Sequence, residues 1–248
     1  MKNVLRIVSM ASAAAWATFA VPASATIFEV KYSGVIYDGV DTTGIFGPAG
    51  VSLFHAKASL TFTFDTDTPG SIFETDPNHV PPTYAKLFGS GVGSPGKVVV
   101  TVNDIDFVIN GSRDSLASQY DAWFGTTDII HHEAADSVRD NTTGFYLENN
   151  AQADITSSTR NIVSSVNLVG PFSFAPSVSQ GDTANGRFHI LQGYSNNYTA
   201  DYEAHGYFDV SRITITSIPE PASWAMMMVG FGLAGLALRR RQLVAGPA

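Results

Sequence analysis

The feature that most constrains this chain is a period of two. Phe28, Val30 and Tyr32 alternate with Glu29 and Lys31, and Ala58, Leu60, Phe62 and Phe64 alternate with Ser59, Thr61 and Thr63. Successive side chains of a strand point to opposite faces, so this spacing puts the apolar residues on one side of a sheet. Residues 98–102 and 105–109 flank Asn103-Asp104, the signal of a two-residue hairpin. Asn110-Gly111 and Asn185-Gly186 are read as further turns, and residues 162–169, 187–191 and 203–216 as later strands. Residues 26–217 contain no convincing amphipathic helix, so a parallel α/β architecture lacks its crossovers. The expectation is an all-β, antiparallel sandwich of jelly-roll type in a single domain over 26–217. The Pro- and Gly-rich stretch 66–96 is read as a long excursion within that domain.

Composition narrows the class. Charged residues are 15% of the chain, well below the usual quarter or so, while 16 Phe and 9 Tyr favour strands. Of the 14 Lys and Arg, five lie at the ends, at Lys2, Arg6, Arg239, Arg240 and Arg241. Of the 22 Asp and Glu, only Glu220 lies outside 26–217, so the body is more acidic than the net charge of −8. An acidic body has no counterion-release route to a polyanion, which argues against nucleic acid as partner. With 0 Cys there is no disulfide framework, thiol nucleophile or thiolate-held zinc.

The ends carry addresses. Lys2 and Arg6 precede an uncharged run to Val21, and Ala23-Ser24-Ala25 supplies the small residues of a cleavage site. Residues 1–25 are therefore expected to be a signal helix, cut between Ala25 and Thr26. At the other end, Pro219-Glu220-Pro221 leads through Trp224-Ala225 into an uncharged run of 17 residues, Ala222 to Leu238, closed by Arg239-Arg240-Arg241. As a helix that run spans about 25 Å, the short end of a bilayer crossing. The arginines predict an orientation with residues 243–248 cytoplasmic and the body outside. The spacing G-x-G-x-x-G at 230–235 lies inside this apolar run, with no strand before it, so it is read as small residues in a membrane helix rather than a nucleotide loop.

These three tail elements, in this order at the C-terminus, closely resemble the PEP-CTERM sorting signal in its variant with the Trp-Ala pair. The resemblance covers roughly the last 30 residues and implies a substrate of an exosortase-type membrane enzyme, which recognises Pro219, Glu220 and Pro221 and removes the helix. It implies a sorting and anchor segment at 218–242 and a precursor held in the inner membrane before release to the cell surface or medium. It also points to a host that makes exopolysaccharide, the expected matrix partner. Segments such as Asp41-Thr42-Thr43-Gly44-Ile45-Phe46-Gly47 look similar to β-rich bodies carrying this tail and bring no known activity.

Within the body, Asp65-Thr66-Asp67-Thr68-Pro69-Gly70, with Asp76 at position 12, resembles the opening of a calcium loop. Pro69 and the short Asp76 depart from it, and a strand end closed by an Asx turn is favoured. His131-His132-Glu133, near Asp128 and Asp136, is the densest polar cluster. On a strand His131 and Glu133 would share one face and His132 the other, two ligands being too few for zinc. A solvated loop or edge is the favoured reading, with His55, His189 and His205 as distant candidate partners. Trp123, Phe124, Tyr194, Tyr198 and Tyr202 are candidate sugar-stacking aromatics. No catalytic residue, metal site or cofactor is singled out. The leading expectation is a non-enzymatic surface or matrix protein. The alternative is a carbohydrate-binding or calcium-dependent module, with a glycan hydrolase third.

Overall fold

The computed structural model describes residues 27–79, 82–121, 127–163, 166–194 and 202–218. These form strands β1 (Ile27–Asp41), β2 (Val51–Ser52), β3 (Lys57–Asp65), β4 (Ile72–Thr75), β5 (Tyr84–Ser90), β6 (Gly96–Val102), β7 (Ile105–Ile109), β8 (Asp114–Tyr120), β9 (Asp128–Asp140), β10 (Phe145–Ser157), β11 (Phe172–Phe174), β12 (Asp182–Tyr194) and β13 (Tyr202–Ile218). The only helical turns among the described residues are two short 3₁₀ segments. No helix among them is long and apolar enough to cross a membrane. The segments 1–25 and 218–242 expected to be signal and anchor fall almost wholly outside the described residues.

The described residues are mostly β and antiparallel, and they do not divide into two sheets. One sheet runs β4-β5-β8-β9-β10-β12-β13-β1-β3-β6-β7, with β2 added to β1 and β11 to β13. The Tyr32 hydroxyl on β1 lies 2.6 Å from His132 Nδ1 on β9, although β10, β12 and β13 separate these strands along the sheet. Only a sheet curled onto itself brings them together, so the architecture is a curled half-barrel. The expected two-sheet sandwich is corrected because the β13–β1 seam stays closed. Gly34 permits this, since a Cβ there would lie 1.9 Å from the backbone oxygen of Asp209.

The inner face is the core. Large rings come from one wall, with Phe28 and Tyr32 on β1 and Phe62 and Phe64 on β3, all fully buried. The facing wall supplies small residues, with Ala117 on β8, Ala134 on β9, and Ala151 and Ala153 on β10. Large rings on one wall thus face small side chains on the other, which lets the two walls of the curl approach. Phe188 and Phe208 lie over Gly206 and Gly186 on neighbouring strands, where a Cβ would come within 2.5 Å and 2.2 Å of the rings.

The β6–β7 hairpin turns at Asn103 and Asp104 with φ of 51° and 66°, the left-handed pair of a type I′ turn. Two sequence expectations fail. Asn185-Gly186 lies inside β12, because the glycine there accommodates a ring rather than a bend. The described part of 162–169 is a loop, because its apolar residues fold down onto the core while Asp128 takes the backbone N–H groups of Ile162 and Val163 at 2.7 and 3.0 Å. The Pro- and Gly-rich stretch 66–96 contributes β4 and β5 to the same sheet.

Candidate functional site

His131-His132-Glu133 lies in β9, a strand paired on both sides, and not in a loop or edge. The period of two then sends its two histidines into different media. His132 faces inward with no exposed surface, against the rings of Tyr32, Phe62 and Phe64 at 5.6–5.8 Å. Burial, and then the charge of His131, pushes its pKa down to about 3, so it is neutral. Burial and then Asp154 hold the Tyr32 hydroxyl well above its ordinary value, so that hydroxyl keeps its proton and shares a hydrogen bond with Nδ1 whose direction follows the imidazole tautomer. Nε2, the other ring nitrogen, is buried with no hydrogen-bond partner among the described residues.

His131 faces outward. Burial alone would push it down, but the hydrogen bond to Asp154 and then the Glu133 carboxylate 3.8 Å away outweigh this and raise it to about 9. It is an imidazolium at neutral pH, and Glu133, ion-paired with it, is held below its ordinary value.

The buried carboxylates near this motif are not its partners. Asp136 accepts the N–H groups of Asn110 and Ser112 at 2.8 and 2.7 Å and also the Ser112 hydroxyl, which fixes the turn after β7. Asp128 clamps the Ile162 loop as described. Asp41 closes the turn after β1, accepting from Thr43, Gly44 and Phe46 at 2.7–3.0 Å. Burial pushes the Asp41 carboxyl up, but these bonds outweigh it and hold the group below its ordinary value. Asp65 makes an Asx turn, accepting the N–H of Asp67 at 2.9 Å. Asp76 is not turned to it, since its carboxylate is engaged by Asn78, His79 and Thr83. No three His, Cys, Asp or Glu among the described residues are grouped to hold a metal ion.

The distant histidines do converge in part. His189 on β12 pairs directly with His205 on β13, and both rings reach one oxygen of Glu203, at 3.2 and 2.7 Å. His55 lies elsewhere, stacked on Phe54 at 3.8 Å. Next to the histidine pair, Arg187 is opposite Tyr207 on one side and Gln152 on the other, and its guanidinium holds the Gln152 carbonyl oxygen through two nitrogens. Tyr207 packs edge-on to His205 at 5.9 Å and beside Tyr37 of β1 at 6.5 Å, and both tyrosines are at least 40% exposed. Together Glu133, Asn150, Arg187, His189, Glu203 and Tyr207 line a shallow groove of about 290 Å³ on the outer face. It offers a forked cationic donor, carboxylate and amide acceptors, imidazole nitrogens and exposed ring faces, a set that fits a hydroxyl-rich ligand.

Arg187, Gln152, Glu203, Tyr207 and Tyr37 were not singled out from the sequence. The alternation over 187–191 and 203–216 already puts Arg187 and His189, and Glu203, His205 and Tyr207, opposite Phe188, Ala204 and Phe208. The register joining the strands was the missing signal. Trp123, Phe124 and Tyr198 lie outside the described residues, and Tyr194 and Tyr202 end β12 and begin β13.

Residues 217–241 match the PEP-CTERM protein-sorting motif. The match contains Pro219, Glu220, Pro221, Trp224, Ala225 and Arg239 to Arg241, all of which, like Ala23 and Ala25, lie outside the described residues. It supports an exported protein sorted by an exosortase from a membrane-anchored precursor. No curated protein matches the chain.

Proposed function

We propose that this is a non-enzymatic protein of the bacterial surface or extracellular matrix, delivered by an exosortase and retained there by exopolysaccharide bound on the outer face of its sheet. The observation that carries the reading is the groove around Arg187, where hydrogen-bonding groups and the exposed rings of Tyr207 and Tyr37 share one open surface. Sugar rings present apolar faces and a rim of hydroxyls, which such a mixture satisfies. The carboxylates there are tied to imidazoles, Glu203 to two of them and Glu133 and Asp154 to His131, which favours holding a ligand over acid–base work.

On this reading a signal peptidase cuts after Ala25. Residues 218–242 hold the precursor in the inner membrane with 243–248 cytoplasmic, and the body 26–217 is released near Pro219-Glu220-Pro221. Each proline lacks a backbone N–H and fixes its φ, which suits a segment that an enzyme must reach. The experiment is fractionation of tagged protein in a host that has the sorting enzyme and makes exopolysaccharide. Wild type is expected in the polysaccharide fraction. Replacing Pro219, Glu220 and Pro221 by alanine should strand the protein in the membrane, and Arg187→Ala should shift it into the free medium. An Arg187→Ala protein that stays with the polysaccharide as fully as wild type refutes the outer-face reading.

A further inference from the structure

The groove at Arg187 does not end at Glu133. A second trough, of about 390 Å³, begins there and runs over β8 and β5 to Ile72 of β4, with Glu133 lining both. The strand registers place one residue from each strand in a single row. Ile72 is opposite Phe88, Phe88 opposite Leu116, and Leu116 opposite Glu133. The row continues from Glu133 to Gln152, then to Arg187 and Tyr207. It crosses six interstrand spacings, roughly 29 Å of surface at about 4.8 Å each. Its middle is polar and its two ends carry rings, with the Lys86 ammonium 4.3 Å above Phe88 at one end and Tyr207 beside Tyr37 at the other.

Resting on the glycan reading above, we infer that the ligand is a linear, neutral or sparsely charged polysaccharide chain lying across the strands along this row, so that Phe88 and Tyr207 belong to one extended site. Two shallow troughs joined end to end suit a chain, whereas a small ligand is held in an enclosed pocket. The row crosses the sheet face, where backbone N–H and C=O groups are spent on the ladders, so it offers side chains only and gives an added peptide strand nothing to pair with. Charge sets the class of polymer. Asp114 and Glu133 line the first trough and Glu133 and Glu203 the second, against Lys86 and Arg187. With the Arg113 guanidinium 3.1 Å from Asp114 and the His131 imidazolium beside Glu133, the row carries charges of both signs, and a chain with an acid on every sugar finds no uniformly basic track along it.

The test uses the exported, processed protein and a length ladder of oligosaccharides cut from the neutral exopolysaccharide of the producing cells, with a uronic-acid oligomer of matched length beside it. Affinity should rise with length and level off once an oligomer covers both troughs. Phe88→Ala should weaken the longest oligomers roughly three- to tenfold and leave the shortest unchanged. Lys86→Ala, a surface change, tests the same trough where Phe88→Ala lowers the melting temperature. If affinity levels off at oligomers covering only the Arg187 groove, and both variants bind like wild type, the extended site is overturned while the glycan reading stands. If the uronic-acid oligomer binds as tightly as the neutral one, the assignment of polymer class is overturned. If neither the oligomers nor the intact polymer binds, the glycan reading itself falls.

Discussion

His131 and His132 are neighbours in sequence and occupy different worlds. One faces the outer surface, paired with two carboxylates and charged. The other faces the core, bonded to a tyrosine hydroxyl and neutral. Nothing in the side chain differs, so the alternation of the strand alone decides the chemistry. The same division holds for the sheet. The inner face carries rings against alanines and holds the fold together, while the outer face carries paired charges, imidazoles and exposed tyrosines, which stabilise little and are available to a ligand.

The largest effect that tests this division is a core truncation. Phe64→Ala removes a fully buried ring stacked on Phe28 at 5.3 Å and next to His132. It should cost about 3–5 kcal/mol, read as a large fall in melting temperature. A cost below about 1 kcal/mol would show that the curled sheet does not close over that ring.

The second effect is acid lability. The unfolded chain protonates His132 near pH 6.5, whereas the folded protein resists until about pH 3, so its contribution to stability is complete above 6.5 and is lost as pH falls. The slope should approach about 1.4 kcal/mol per pH unit between roughly pH 6 and 4.5, above the range of most carboxylates. His131 has the opposite sign, its contribution being full below pH 6.5 and lost as pH rises through about 9. Denaturant titrations across this range should show both limbs. The double change Tyr32→Phe, His132→Leu, which removes both partners together, should flatten the acid limb alone. An unchanged acid slope in that variant would place the titrating group elsewhere.

These predictions rest on strands whose legibility in the sequence was uneven. β1, β3 and the β6–β7 hairpin were readable because their inward positions carry Phe, Tyr, Leu and Val, which stand out against Thr, Ser and Lys. β9 and β10 were not, because their inward positions include His132, Ala134, Ala151 and Ala153, residues with too little apolar contrast to show a period. Their small size is what the opposite wall requires, so the property that fits them to the fold hides them in the sequence. The apolar run at 162–169 misled for the converse reason, being buried without being a strand. At the candidate site the outward positions of β12 and β13 could be read from alternation. The row joining Glu133, Gln152, Arg187 and Tyr207 could not, because register is set by pairings among residues far apart in sequence.

A smaller effect sharpens the contrast at a single atom. Tyr32→Phe keeps the ring and removes only the hydroxyl, which leaves the buried Nδ1 of His132 unpaired. It should cost about 1–3 kcal/mol in chemical denaturation, far more than the loss of one exposed hydrogen bond. A neutral result would mean that the imidazole turns to find another partner.

The central claim is that the inner face holds the fold and the outer face holds the ligand, and the most direct measurement reads both properties in the same samples. Processed wild type, Tyr32→Phe and the double variant Arg187→Ala, Tyr207→Ala are each melted and then passed over immobilised exopolysaccharide. The prediction is a crossed result. The outer-face variant keeps its stability within about 0.5 kcal/mol and loses retention, while Tyr32→Phe loses stability and, below its melting temperature, is retained like wild type. If the outer-face variant is retained as well as wild type, or loses stability in step with retention, the two faces do not divide the work in this way.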